Sequence, residues 1–176
     1  MAKRGRRRCE WRDAAVSGAV AFALLLMSIP AYSLSGWPGD GEPASACVSE
    51  TDAVASMPQG RVRLGEQREL TVRIAATAEH RAAGMQYLCP DAIAGNPILF
   101  VFDSPARPGF HMRNVHGGLD IIFIGTNRTI TAIEQMVSEQ PHLTRPGEPV
   151  IAALEMAAGE AEALDLTKGQ NIEWDY

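Results

Sequence analysis

The sequence FHMRNVH at residues 110–116 is followed, two glycines later, by the apolar run LDIIFI at residues 119–124. The apolar run predicts a buried β-strand. Polar side chains beside such a strand must be hydrogen-bonded, ion-paired, metal-bound or exposed in a site. This stretch therefore predicts a core strand and, directly before it, a loop that is a candidate functional site.

Short apolar or alternating runs recur on both sides of this stretch. Residues 98–102 are a continuous apolar run too short for a typical helix, and residues 70–74 alternate apolar and polar positions. Further strands are predicted at residues 62–64, 110–112, 129–136, 150–156 and from 172 onward. Thr77 can cap a short helix over residues 78–83, and residues 159–166 favour a second. Seven or eight short strands with one or two short helices predict a mainly β fold, a single β-sandwich or jelly-roll-like domain.

The charge of the chain is divided between a basic head and an acidic remainder. Residues 1–33 carry six basic and two acidic side chains, a net charge of +4, so residues 34–176 carry −9 and the whole chain −5. An acidic surface repels phosphate backbones, so we expect no nucleic-acid partner. The length of 176 residues suits one modest globular domain.

The basic head precedes an uncharged apolar run over residues 14–29. This order is typical of a secretory signal, with Ala31 and Ser33 as small residues for cleavage, or of an uncleaved N-terminal anchor. Both alternatives deliver the domain outside the cytoplasm, as a periplasmic or secreted protein, and involve a membrane only through this segment. The predicted parts of the chain are a signal peptide or N-terminal anchor at residues 1–33, a flexible linker at residues 34–60 and the β-domain at residues 61–176.

Cys47 and Cys89 are the two cysteines outside the head, which contains Cys9. Exported proteins seldom keep free thiols, so we expect these two residues to form a disulfide. The bridge would close a loop of about 43 residues and stabilise the fold by about 4 kcal/mol through the entropy of loop closure. Two free thiols are the alternative.

Four segments, in order, resemble the domain-of-unknown-function family 192, a set of small, mostly exported bacterial and archaeal proteins. They are RAAGMQ at 81–86, the apolar run at 98–102, FHMRNV with the following GLD at 110–120, and LEMAAG at 154–159. The family pattern has tryptophan, threonine and proline where this sequence has His111, Val115 and Gly118, so no role of those three side chains is carried over. The resemblance runs from about Leu70 to about Ile172. It implies a β-sandwich of jelly-roll type and brings no settled activity.

Asp120 and Glu155 are carboxylates within apolar strands, where an ionised group needs partners. We expect Asp120 to accept hydrogen bonds from the turn amides around Gly117 and Gly118 or to pair with Arg113, in preference to acting as a site carboxylate. Glu155 can pair with Arg81 or Arg113. If the two carboxylates converge on one pocket, they can form the acid/base pair of a hydrolase.

The remaining polar residues of the loop allow several chemistries. His111 and Met112 are types that bind copper, but neighbouring strand residues point to opposite faces, so we expect no metal. His116 can approach His111 only if the loop bends between them. Arg113 and Asn114 suit a carboxylate or a sugar hydroxyl, while Asn114 can equally pin the loop. The sequence has no phosphate-binding glycine loop, and we expect no cofactor.

Together these patterns favour a small-ligand or envelope-component binding module that uses the polar loop between two strands. The candidate ligand-binding residues are His111, Arg113, Asn114, His116, Asp120 and Glu155. One alternative is the hydrolase that uses the two carboxylates. The other is a purely structural interaction module, in which the motif only braces the strands.

Overall fold

The computed structural model describes residues 46–65 and 68–176. This part of the chain is mainly β, as predicted, with short helices between the strands. The elements in chain order are α1 Asp52–Ser56, β1 Gln59–Leu64, β2 Arg68–Ala75, α2 Ala78–Ala83, α3 Pro90–Ala94, β3 Ile98–Ala106, β4 Leu119–Gly125, β5 Ile130–Met136, β6 Val150–Ala157, α4 Glu160–Ala163 and β7 Ile172–Asp175. Within the described ranges, no helix is long and apolar enough to cross a membrane.

All seven strands belong to one sheet, in the order β5-β4-β6-β3-β2-β1-β7. Strands β2 and β3 are parallel, and the other neighbours are antiparallel. The sheet curls into a half-barrel, so that its two edges meet at one end, where the amide of Ile130 donates to the carbonyl of Gln170. The sandwich or jelly-roll arrangement is therefore not confirmed, because one curled sheet covers its own concave face and no second sheet is needed.

The two faces of the sheet carry two separate cores. The concave face joins side chains from both edges and the centre, including Val62, Leu99, Ile122, Leu154 and Ile172. The other face, here called the loop-covered face, packs against the helices and against the loop before β4. Burial on both sides explains why β4 is apolar at almost every position and buried along its whole length.

The loop-covered face includes Phe110, Met112 and Val115, which anchor the segment before β4. The strand predicted at residues 110–112 does not form. Phe110 instead makes a single antiparallel bridge with Thr144, and a turn follows. Met112 points into the core, so its burial replaces the strand pairing that the sequence suggested.

The chain from Ala46 to Gly60 is folded onto the domain, in contrast to the predicted linker over residues 34–60. Val48 bridges Leu88, and α1 buries Val54 in the core of the loop-covered face. Cys47 and Cys89 lie at disulfide distance, as their predicted pairing requires. Short-range composition suggested a linker here, but the disulfide and the buried valine attach this segment to the sheet. The signal or anchor at residues 1–33 and the linker up to residue 45 lie outside the described residues.

Candidate functional site

A cavity of about 240 Å³ lies between α2, the middle of β3 and the loop before β4. Its polar lining residues are Arg81, Gln86, His111 and Glu155, and its aromatic ones are Phe100, Phe102 and Phe110. The cavity brings together two of the six predicted site residues, His111 and Glu155. It is thus a mostly apolar pocket with a few polar groups, the usual composition of a small-molecule site.

Glu155 reaches the cavity because of its register in β6. It stands opposite Ile121 of β4 and Ile98 of β3, both of which point to the loop-covered face. Only 4% of the residue is exposed, and no donor among the described residues hydrogen-bonds to its carboxyl group. Burial raises the pKa of Glu155 from 4.5 to about 8, because the charged form loses its hydration. At neutral pH the group is therefore mostly a protonated acid that can donate a hydrogen bond.

Arg81 is held at the cavity by α2, whose first turn is capped by the hydroxyl of Thr77. Its Nη1 donates to the backbone carbonyls of Ala76 and Val101. The guanidinium carbon lies 5.8 Å from the ring centre of Phe102, within cation–π range. Within the described ranges, Nε and Nη2 of Arg81 have no hydrogen-bond acceptor. Of the two ion pairs considered for Glu155, neither the one with Arg81 nor the one with Arg113 forms, so the charge of this half-buried Arg81 is not neutralised by the acid.

The aromatic side chains give the cavity its apolar wall. The rings of Phe100 and Phe110 pack edge to face, with their centres 5.2 Å apart. Phe110 also packs against Phe123 of the core, which fixes its position. His111 follows directly and lines the cavity, and its Nδ1 is buried without a hydrogen-bond partner among the described residues.

Gln86 lines the cavity but has few hydrogen-bonding groups left for a ligand. Its side-chain nitrogen donates to the carbonyls of Ala82 and Ala83, and its oxygen accepts from the amide of Asn114. Gln86 therefore serves mainly to link the cavity wall to the loop before β4, and it has little left to offer a ligand.

Asp120 lies on the opposite face of the sheet from Glu155. It stands across from Met156, which belongs to the core of the concave face. Its Oδ2 accepts hydrogen bonds from the amides of Gly159 and Ala161 at 2.8 and 3.0 Å, at the start of α4. The role of Asp120 is structural, but its donors lie at the start of α4 and are neither the turn amides around Gly117 and Gly118 nor Arg113. The acid/base pair that the hydrolase alternative needs is not assembled, because the pleat of the sheet separates the two carboxyl groups.

Asn114 pins the loop before β4. Its backbone is left-handed, with φ of 62°, and its amide side chain donates to the hydroxyl of Tyr87 at 2.8 Å. In return, the amide of Tyr87 donates to the carbonyl of Asn114, and Glu139 accepts from the Asn114 backbone amide. These contacts hold the loop in place. Asn114 does not line the cavity.

Arg113 and His116 also lie outside the cavity lining. Arg113 is exposed and makes no hydrogen bond to the described residues. His116 is half-buried, and its Nε2 has no partner among them. In the described part of the chain, no group of three or more His, Cys, Asp or Glu side chains is arranged to hold a metal ion.

Sequence reasoning missed the cavity role of Arg81 and of the three lining phenylalanines. The sequence did single out Arg81, because it is the first residue of the RAAGMQ segment that resembles the family pattern. The phenylalanines had none beyond their apolar character, because a core ring and a cavity ring look alike in sequence.

Two solved structures share the fold. A Sinorhizobium meliloti crystal structure, described as that of a candidate transcription regulator, aligns with a TM-score of 0.60 at 30% identity, covering 68% of this chain and 95% of its own. A Novosphingobium aromaticivorans protein of unknown function aligns with a TM-score of 0.56 at 25% identity, covering 71% of this chain and 98% of its own.

The sequence comparisons point to one family. No curated protein matches the sequence. The sequence profile of the DUF192 family, described as Uncharacterized ACR, matches residues 60–174. That match spans more than half of the sequence and contains the cavity residues, and the chain therefore belongs to the DUF192 family.

Proposed function

We propose that this domain is a binding module for a small molecule, which occupies the cavity lined by Glu155, Arg81 and His111. The observation that carries the proposal is Glu155, an acid buried in an apolar cavity with no hydrogen-bond partner among the described residues. Burial disfavours the charged form of this group, and its carboxyl faces the cavity, where it can meet a ligand. A buried acid with a raised pKa in a cleft is a typical functional-site residue.

Bracing of the strands explains only part of the motif. Asp120 holds the start of α4, and Asn114 holds the loop against Tyr87. Neither contact involves Glu155 or explains why the cavity stays open. A purely structural interaction module therefore accounts for Asp120 and Asn114 but not for Glu155, which favours the binding module.

The hydrolase alternative needs Asp120 and Glu155 in one pocket, but the two side chains lie on opposite faces of the sheet. Asp120 is held on the concave face by backbone amides, while Glu155 faces the cavity. One carboxyl group alone does not provide the paired acid and base on which that alternative rested.

We place the binding module outside the cytoplasm. The basic head followed by an apolar run supports export, and the Cys47–Cys89 pair suits an oxidising compartment. The net charge of −9 on residues 34–176 does not favour nucleic acid as the ligand.

Blocking the cavity tests the proposal. The full chain is screened by ligand-observed NMR against a panel of small fragments, each no larger than one ring with one substituent. Ala82 lines the cavity and is exposed on α2, so Ala82→Phe should fill the mouth without disturbing the core. Ala78 is exposed on the same helix outside the cavity lining, so Ala78→Phe is the matched control.

We expect several fragments to bind the wild-type chain and the Ala78→Phe variant and to lose binding in the Ala82→Phe variant. The proposal is overturned if no fragment binds, or if the bound fragments are indifferent to Ala82→Phe.

A further inference from the structure

We infer that the ligand is a small monocarboxylate with a compact apolar group, its carboxylate bound at Arg81 and its apolar part held between Phe100, Phe102 and Phe110. This inference rests on the proposed function, since it names the class of molecule that the cavity takes.

Most of the polar groups that remain for a ligand are donors, and the unpaired Nδ1 of His111 can donate or accept according to its tautomer. Arg81 has Nε and Nη2 without partners among the described residues, and its charge is not neutralised by Glu155. The protonated carboxyl of Glu155 adds an O–H donor at neutral pH. The amide of Gln86, in contrast, is already engaged by its neighbours. Donors and one uncompensated positive charge call for a ligand that is an anion rich in acceptor oxygens.

Further positive charge lies beside the cavity mouth. The guanidinium of Arg145 packs over Gly109, a lining residue, so closely that a Cβ there would lie 2.9 Å from its Cζ. Nη1 of Arg145 also donates to the carbonyl of Arg107 at 3.4 Å. Arg107 and Arg145 are both exposed. In a domain with a strongly negative net charge, the guanidinium of Arg145 beside this mouth favours the approach of an anion.

The size and the walls of the cavity restrict the anion further. A volume of about 240 Å³ is below the range of roughly 300–1,000 Å³ that is usual for drug-sized ligands. Two unpaired guanidinium nitrogens match the two oxygens of one carboxylate. A phosphate group carries more charge and more oxygens than these donors satisfy, and it gains nothing from three phenyl rings. A carboxylate attached to one ring or to a short branched chain fits the small volume, the two guanidinium nitrogens and the phenyl walls.

Matched pairs of ligands test the inference on the full wild-type chain. The probes are benzoate with benzamide, phenylacetate with phenylacetamide, and isobutyrate with isobutyramide, together with inorganic phosphate. In each pair, the amide has nearly the same shape as the carboxylate but carries no charge. Dissociation constants are measured by ligand-observed NMR or calorimetry at pH 7. We expect at least one carboxylate to bind about tenfold or more tightly than its amide, and phosphate to bind more weakly than that carboxylate.

Two arginine variants locate the charge that the ligand recognises. Arg81→Met should abolish the preference for carboxylate over amide. Arg113→Met removes an equal charge from an exposed residue outside the cavity lining, and should keep the preference. Arg81→Met loses two contacts to backbone carbonyls and can fail to fold. In that case, the comparison of carboxylate with amide on the wild-type chain still decides whether the cavity recognises a carboxylate.

The outcomes separate this inference from the proposed function. If the amides bind as tightly as the carboxylates and Ala82→Phe displaces both, the cavity is a binding site but the carboxylate assignment is wrong. The assignment is also wrong if phosphate binds more tightly than every carboxylate, or if the preference survives Arg81→Met in a folded variant. If nothing in the fragment panel binds, the proposed function itself fails.

Discussion

Asp120 and Glu155 lie on neighbouring strands, one position out of register, and therefore project from opposite faces of the same sheet. Ile121 stands across from Glu155, and Asp120 stands across from Met156. Asp120 accepts from two backbone amides and from the side chain of Gln135, whereas Glu155 faces a mostly apolar cavity. The two groups should respond to mutation in opposite ways.

Replacement of Asp120 should destabilise the fold without affecting ligand binding. Asp120→Ala leaves the amides of Gly159 and Ala161 without their acceptor, so we expect the free energy of unfolding to fall by about 2–3 kcal/mol. Urea titration of the full chain measures the change, with Asp103→Ala on the exposed end of β3 as the control. A folded Asp120→Ala variant with normal stability that no longer binds fragments would refute the structural role.

Replacement of Glu155 should stabilise the fold at neutral pH. The pKa of this carboxyl group is raised in the folded protein, from 4.5 to about 8. The free energy of unfolding of the wild-type chain should therefore decrease as the pH rises from about 4.5 to about 8, and Glu155→Gln should make this slope shallower; partial burial also raises the pKa of Glu160, which keeps a contribution. The expected gain at pH 7 is about 3 kcal/mol, since each pKa unit is worth about 1.4 kcal/mol.

Denaturant titrations between pH 5 and pH 8.5 test this expectation. Glu134→Gln, at an exposed position of β5 opposite Ile121, is the matched control and should leave the slope unchanged. Equal slopes in the wild-type chain and in Glu155→Gln would show that Glu155 is not the buried acid described above.

The left-handed backbone of Asn114 should make its replacement by alanine costlier than its replacement by glycine. Both variants lose the side-chain bonds to Tyr87 and Gln86. Only alanine also meets the steric penalty of a positive φ, which is about 1 kcal/mol or more. Thermal unfolding of Asn114→Ala and Asn114→Gly measures the difference. Equal melting temperatures would mean that the loop relaxes to another backbone conformation.

Loss of the bridge between Cys47 and Cys89 should weaken the attachment of the N-terminal segment. The two residues are 42 positions apart, so the entropy of loop closure predicts a loss of about 4 kcal/mol on Cys47→Ser/Cys89→Ser. The measurement is a urea titration in a Cys9→Ser background. Reduction of the parent chain with dithiothreitol should give the same shift, and no shift in either experiment would mean that the two thiols do not pair.

The strands could be predicted because each has a local pattern. The apolar run at residues 98–102 and the LDIIFI run both lie in buried strands, and Thr77 caps the helix that its position suggested. The strand predicted at residues 110–112 does not form: Phe110 makes one bridge with Thr144, and the chain then turns with Met112 buried in the core. The helices α1 and α3 were missed, since five residues are too few to show helical periodicity.

The site was less accessible to sequence reasoning, because its members meet through long-range geometry. The face on which Glu155 lies depends on its alignment with Ile121, which no local pattern contains. A pairing of Glu155 with Arg81 was one alternative, but the guanidinium of Arg81 donates to the carbonyls of Ala76 and Val101. His111 was identified for its chemistry, and its neighbours across the cavity come from three other segments of the chain.

The meeting of the two sheet edges also bears on how copies of this protein interact. Unpaired backbone groups along a sheet edge can recruit a strand from another molecule. Here the amide of Ile172 donates to Arg128 and that of Gly169 to Ile130, so the ends of β5 and β7 satisfy each other. A neighbouring molecule finds no open ladder at this corner, which protects a small, densely apolar sheet from strand exchange between copies of the protein there.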